Sequence, residues 1–279
     1  MIVNLTSLET YLAIVDSGNL VRAAERLHVS QSTVTTRLQA LERDIGAQLV
    51  TRQKSGVELT EAGRRFRHHA EVMIELWGQA TQDVALPDSI EVVASIGCHP
   101  DLWHGPGREL FDAISAEHPN AALTVLPGDQ TEIERLLRGG LIDIALTYEV
   151  AVQHNQTVRS LPPEHLVLVS DRPDSPMRFD PKYIYVESGE DFRRRHSAAY
   201  SDAGTARLSF GRAEWALEEI QTNGGSAYLP KRLVADDIDS GKLHLVVDAP
   251  DFTRNAYLVL SERAATWTWL DAVEDLWRI

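Results

Sequence analysis

The chain has 279 residues, 43% of them hydrophobic, a formal net charge of -14 and a single cysteine. That length builds two or three compact units with their own cores, while no run approaches the roughly 20 apolar residues that cross a bilayer. Cys98 alone forms no intrachain disulfide and the N-terminus lacks a basic-then-apolar leader pattern, so a cytoplasmic protein is expected.

The charge is uneven. Up to Val84 there are 9 Lys+Arg against 10 Asp+Glu, and beyond it 18 against 31. A near-neutral head therefore precedes a strongly acidic body. The local field at a docking surface outweighs the whole-chain sum, because salt screens charges beyond about 8–10 Å.

Leu5, Leu8, Leu12 and Val15 recur at helical spacing, which predicts an amphipathic helix over residues 4–17, stopped by Gly18-Asn19. A short second helix carries Ala23-Ala24, small enough for another helix to approach closely. His28-Val29 makes a tight connection, and Ser30 suits the N-cap of a third helix. There Val34, Leu38, Leu41 and Ile45 share one face; Ser32, Thr36, Gln39 and Arg43 share the other, with Thr35 on the flank and Gln31 in the first turn. Short polar side chains near a helix N-terminus are what base-edge reading needs, although a solvated face has the same composition. Residues 48–52 and 56–60 then predict a hairpin, a wing, whose Arg52 and Lys54 reach for phosphates or a minor groove. Thr60 caps a long helix from about Glu61 to Asp83. On it Phe66, Ala70, Met73, Trp77 and Ala80 are spaced 4, 3, 4, 3, a heptad seam. The head being small and already complete, a second copy is the expected partner of that seam. Arg64, Arg65 and Arg67 either join the phosphate contacts or are solvated charges.

Residues 1–86 resemble the DNA-binding half of the LysR-type transcriptional regulators. The likeness is carried by Leu8, Tyr11, Val15, Gly18, Ala23-Ala24, Leu27, Ser30-Gln31, Leu38, Leu41-Glu42, Gly46, Leu49, Arg52 and Leu59-Thr60-Glu61-Ala62-Gly63. The resemblance implies DNA contact by Gln31, Ser32, Thr35, Thr36 and Arg52, and a dimerising linker helix. Ser32, Thr36 and Val50 stand where the family usually has proline, a basic residue and phenylalanine. These departures bear on base preference, because Thr36 lacks the reach of an arginine.

After Ala85-Leu86-Pro87-Asp88 the pattern becomes alternating strands and helices: strand 90–96, helix 107–117, strand 122–126, helix 131–138, strand 141–147. That order predicts a mostly parallel sheet with helices on its faces. Strands at 166–170, 183–186 and 206–210 come next, then a helix at 212–221, a glycine-rich stretch at 224–230, strands at 242–247 and 256–260, and a closing helix at 266–277. Two lobes with a crossover near Pro162-Pro163 enclose a cleft, the usual ligand site of such sheets.

This part resembles the family's effector domain, itself like a periplasmic solute-binding protein in miniature. The resemblance places the ligand against strand-end loops: Ser95, Gly97, Cys98 and His99; Gly128; Thr147; Glu187 and Ser188; and Gly224, Gly225 and Ser226. Free amides at helix N-termini favour a small anion, whereas Glu187, Glu190 and Asp191 leave a cationic or zwitterionic ligand open. Phe192 packs either on the ligand or in the core, and Arg193-Arg194-Arg195-His196 either holds a carboxylate or is a solvated face.

Ser95, His99 and Asp101 invite a nucleophile–base–acid reading, but a triad is a matter of geometry, and no Gly-x-Ser-x-Gly elbow accompanies them. Cys98 lacks a resolving cysteine, and the histidines lack metal-site spacing. No enzyme activity, metal or cofactor is expected. The expected organisation is an all-α winged helix-turn-helix head (1–60), a linker helix (61–87) and a two-lobed α/β effector domain (88–279), with lobe I at 88–162 and 262–279 and lobe II at 163–261. Promoter DNA, a small-molecule effector and further copies of the chain, two or four, are the expected partners. RNA polymerase is a further partner that the resemblance allows.

Overall fold

The computed structural model describes residues 4–53, 56–150, 156–178, 180–202, 204–270 and 277. The chain divides into two compact units, Met1–Pro87 and Asp88–Ile279.

The first unit runs α1 (Leu5–Ser17), α2 (Leu20–Arg26), α3 (Gln31–Ile45), β1 (Val50–Gln53), β2 (Gly56–Leu59) and α4 (Glu61–Val84). Each helix starts where a short polar side chain accepts an orphan amide: Asn4, Asn19, Ser30 and Thr60. The turn between α2 and α3 places His28 at φ 54°, the left-handed corner that turns the chain. Leu8, Tyr11, Ile14, Ala23, Val34, Leu38, Leu49 and Ala70 form one core. Ala23 is fully buried, as close helix approach requires. Glu42 Oε1 accepts the amides of Leu49 (2.8 Å) and Val50 (3.2 Å), tying the end of α3 to the wing.

The second unit runs β3 (Val92–Cys98), α5 (Pro100–Leu102), an irregular turn (Trp103–Gly107), α6 (Arg108–Glu117), β4 (Ala121–Pro127), α7 (Gln130–Arg138) and β5 (Ile144–Thr147). It continues with β6 (Thr157–Ser170), β7 (Tyr183–Val186), α8 (Glu190–Ala199), β8 (Leu208–Phe210), α9 (Ala213–Asn223), β9 (Ser226–Pro230), α10 (Lys231–Asp239), β10 (His244–Leu245) and β11 (Phe252–Leu260). Among the described residues one nine-stranded sheet runs β4-β3-β5-β11-β6-β9-β7-β8, with β10 on β6. Its two halves carry separate cores, one around Ile96, Leu110, Ile144 and Leu258, the other around Val169, Ile184, Ile220 and Leu229. These are the two lobes of an α/β fold.

The sheet is mixed rather than mostly parallel. Strands β3, β4 and β5 are mutually parallel, as are β7, β8 and β9, but β6 and β11 cross the middle antiparallel to their neighbours. β6 spans 14 residues where the sequence predicts five. Pro162-Pro163 reads as a break because proline donates nothing to a ladder. Here the ladder steps over it: pairing passes from Leu161↔Ala256 to Glu164↔Arg254 across a bulge. The expected strand at 242–247 shrinks to His244–Leu245. Of the closing helix at 266–277, residues 271–276 lie outside the described residues.

Candidate functional site

In the head, the first turns of α3 leave Gln31, Ser32 and Thr36 exposed and Thr35 half-buried. Ser30 Oγ accepts from Thr33 N (3.2 Å) and lies 2.8 Å from Ser32 Oγ, which pins the entry to the helix. Thr36 Oγ1 donates to Ser32 O at 3.0 Å. Arg52, exposed on β1, donates through Nη2 to Thr35 Oγ1 at 3.4 Å, so wing and helix present one surface. Lys54 lies outside the described residues. Arg64 and Arg65 pair with Glu61, and Arg67 with Glu71 and Asp16. By contrast Arg22, Arg37, Arg43 and Arg52 form no ion pair among the described residues. Sequence reasoning did not single out Arg22, because α2 carries no polar stripe to draw attention to it.

The stripe on α4 divides. Phe66 lies 5.6 Å from the Tyr11 ring, Ala70 is fully buried, and Met73 packs on the head's own core. The helix begins against that core, so its first turns are spoken for, contrary to the expectation of a seam free along its whole length. Leu76, Trp77 and Ala80 remain exposed.

In the second unit the C-termini of the parallel strands converge. His99 N donates to Leu146 O (2.9 Å) and Gly128 N to Cys98 O (3.2 Å), bringing three lobe I loops together. Glu187 N donates to Phe210 O (2.9 Å), joining two loops of lobe II. The lobes touch through Asp101, whose Oδ1 accepts the amide of Ala213 at 3.3 Å. Arg232, in the first turn of α10, donates to Asp101 O and to His104 O (2.9 Å) and pairs with Glu164. His104 Nε2 lies 3.0 Å from Glu214 Oε1. Arg254 stacks 3.4 Å above the Tyr148 ring and lies 3.6 Å from Asp101 Oδ2. Tyr148 in turn donates to Glu164.

The site residues predicted from sequence separate against this geometry. His99, Gly128, Thr147, Glu187 and Ser188 lie at or just beyond the ends of the converging strands. Thr147 Oγ1 lies 2.5 Å from Gln130 Oε1, at a shallow open pocket that Glu149, Ile133 and Val259 also line. Ser95 sits inside β3, its amide on Asp143 Oδ2 at 3.0 Å, and Arg263 holds that same carboxylate. Gly97 is also interior, its Cα hydrogens facing Ile142, where a Cβ would come within 2.4 Å. Cys98 is buried beneath Gly107, and burial pushes its thiol up to about 12, so it stays protonated and inert. Gly224, Gly225 and Ser226 lie at the wrong end. Ser226 pairs with Tyr183, the first residue of β7, and with Ser170, the last of β6. β9 runs parallel to β7, so the loop that leads into β9 is remote from the loop that leaves β7. The glycines serve φ values of 71° and 141° and a tight approach to Asp171 and Lys182 O.

Phe192 belongs to the core, in an aromatic cluster with Tyr228, Phe252 and His196. Arg193 pairs with Glu187, and Arg194 and Arg195 with Asp191. The arginines that do face the cleft, Arg232 and Arg254, come from scattered positions with no local motif. His99 accepts the Asp101 amide on Nδ1 (3.2 Å), which needs the neutral ring. Burial, and then the Arg254 guanidinium, lower its pKa to about 4. Burial raises the Glu164 carboxyl, with Arg232 opposing.

Two family models match the chain. That of the bacterial regulatory helix-turn-helix protein, lysR family, covers residues 5–64, and that of the LysR substrate binding domain covers residues 93–278. The HTH-type transcriptional regulator HdfR of Escherichia coli O17:K52:H18 (strain UMN026 / ExPEC) is 27% identical over 255 residues, 90% of each chain. CbnR, solved as a LysR family transcriptional regulator, has a TM-score of 0.71 at 19% identity over 99% of this chain and 100% of its own. In complex with its target DNA the TM-score is 0.69. Full-length LysG of Corynebacterium glutamicum, solved with bound effector Arg, has a TM-score of 0.54 at 23% identity over 98% and 97%.

Proposed function

The chain belongs to the LysR family of transcriptional regulators, with a helix-turn-helix head and a substrate-binding domain, and from that we propose that it binds promoter DNA sequence-specifically under control of a small molecule. The head is residues 1–60, the linker helix 61–87 and the effector domain 88–279. Gln31, Ser32, Thr35 and Thr36 read base edges while Arg52 and Lys54 hold phosphates, a division of labour between specificity and affinity. The observation that carries this reading is the Arg52–Thr35 contact beside an exposed polar first turn. It sets a cation and hydrogen-bonding side chains on one surface, while Arg64, Arg65 and Arg67 on α4 are held in ion pairs.

Two heads reach two half-sites when the chain pairs, and the exposed Leu76–Trp77–Ala80 segment supports pairing through the outer half of α4. An effector seated against His99, Gly128, Thr147, Glu187 and Ser188 prefers one arrangement of the lobes. It thereby shifts the population that engages DNA. A mobility-shift titration on the DNA upstream of the chain's own reading frame tests the regulator reading. Retardation at moderate salt that an unrelated duplex does not compete away supports it, and failure to retard any such fragment sinks it.

A further inference from the structure

Beside Gly189 two charges of opposite sign come together without pairing. A Cβ built on Gly189 would have Glu149 Oε1 at 3.5 Å, Arg254 Nη2 at 3.7 Å and Arg254 Nε at 3.8 Å as its nearest atoms. Gly189 has φ +95°, so the backbone itself calls for glycine and no side chain comes between the two charges. Glu149 and Arg254 do not pair with each other. Among the described residues the one ion pair of Arg254 runs from Nη1 to Asp101 at 3.6 Å. Its Nε–Nη2 edge makes no hydrogen bond there.

Arg254 is also fixed. Its plane lies on the Tyr148 ring, and the side chain is only 14% exposed. A guanidinium largely withdrawn from water, held flat, with its forked edge unbonded, matches a carboxylate bidentately. A plain carboxylic acid seated there would bring its charge against Glu149. A plain amine seated on Glu149 would meet Arg254. A molecule that carries both charges on one carbon satisfies both partners at once.

We propose, resting on the reading of this cleft as the effector site, that the ligand is a zwitterion of the α-amino acid type. Its carboxylate is forked by Arg254 and its ammonium is received by Glu149. Next to them a shallow open pocket that shares Thr147 and Glu149 has Ile133, Leu137 and Val259 in its wall.

The test is thermal unfolding and calorimetric titration of the full chain with each of the twenty L-amino acids and with a panel of simple carboxylic acids, amines, sugars and phosphates. Every amino acid that raises the midpoint is repeated as its decarboxylated amine and its deaminated acid. The expected result is a dose-dependent rise with at least one amino acid, and little or none with its two half-charged forms. Glu149→Gln and Arg254→Gln each weaken that binding about 30-fold or more, as loss of one partner of a charge pair does. Glu149 is exposed, so its variant folds whatever becomes of Arg254→Gln. Binding as tight in Glu149→Gln as in the parent overturns the proposal. A rise with carboxylic acids or amines but with no amino acid also overturns it, while leaving the cleft an effector site. Silence from amino acids, acids, amines, sugars and phosphates alike overturns both the zwitterion and the effector reading. Retardation of promoter DNA, measured separately, still decides the regulator reading.

Discussion

Two residues have opposite relations to water. Arg52 is exposed and reaches toward Thr35, so its work is electrostatic. Arg52→Ala is expected to weaken binding to every duplex and to lower the salt slope by about 1, read by fluorescence anisotropy across a potassium chloride series. His99 is buried and neutral. Its pKa falls from 6.5 to about 4 in the folded chain, so between those values the unfolded chain takes up a proton that the folded chain refuses. Stability therefore falls as pH drops through that window. Urea midpoints at pH 7 and pH 5 are expected to differ more for the parent than for His99→Gln, whose amide oxygen still accepts the Asp101 amide. Equal losses in both proteins would place the acid sensitivity elsewhere.

At the scale of elements, α4 does two jobs along its 24 residues. Its first turns close the head, where Tyr11 donates a buried hydrogen bond to Gly63 O at 2.7 Å and Met73 joins the core. Its later turns expose Trp77 at 57%. Met73→Ala is expected to cost about 2–5 kcal/mol of head stability, the ordinary range for a buried large-to-small change, reduced somewhat by partial exposure. Trp77→Ala is expected to leave the thermal midpoint of a dilute sample in place and to raise the concentration at which sedimentation shows association. The 4, 3, 4, 3 spacing was legible; its division was not. Periodicity reports that a face is apolar and is silent on which surface covers it. The same limit applies to β9. Its glycines look like a ligand loop in sequence, and only the parallel pairing with β7 sends them to the far end.

Across the effector domain, a polar network joins the lobes. Arg232 reaches from α10 to the carbonyls of Asp101 and His104 and to the Glu164 carboxylate, which is buried on β6. Removing one partner leaves a buried acid uncompensated. Arg232→Ala is expected to destabilise the domain by about 3–5 kcal/mol, and Glu164→Gln added to it to recover part of that loss, measured by calorimetry. A double variant no more stable than the single one would remove Glu164 from the network. The acidic excess fits the same division of labour. The body carries 18 basic against 31 acidic residues, and its cleft holds two arginines in ion pairs, Arg232 on Glu164 and Arg254 on Asp101.

The sequence alone determined the family, the helix-turn-helix head with its caps, and the α/β character of the rest. Those rest on local signals: spacing along a helix, a capping hydroxyl, alternation of strand and helix. Convergence was decided only by the tertiary structure. Strand direction put Glu187 near the cleft and Ser226 away from it, and placed Ser95 inside a ladder. The pairing of Glu164 with Arg254 across the bulge, and the meeting of Glu149 and Arg254 at Gly189, join residues up to 105 positions apart. A side chain's neighbours across a sheet are set by register and by which strands run parallel. Those choices minimise the energy of the whole core, and no window of sequence contains them.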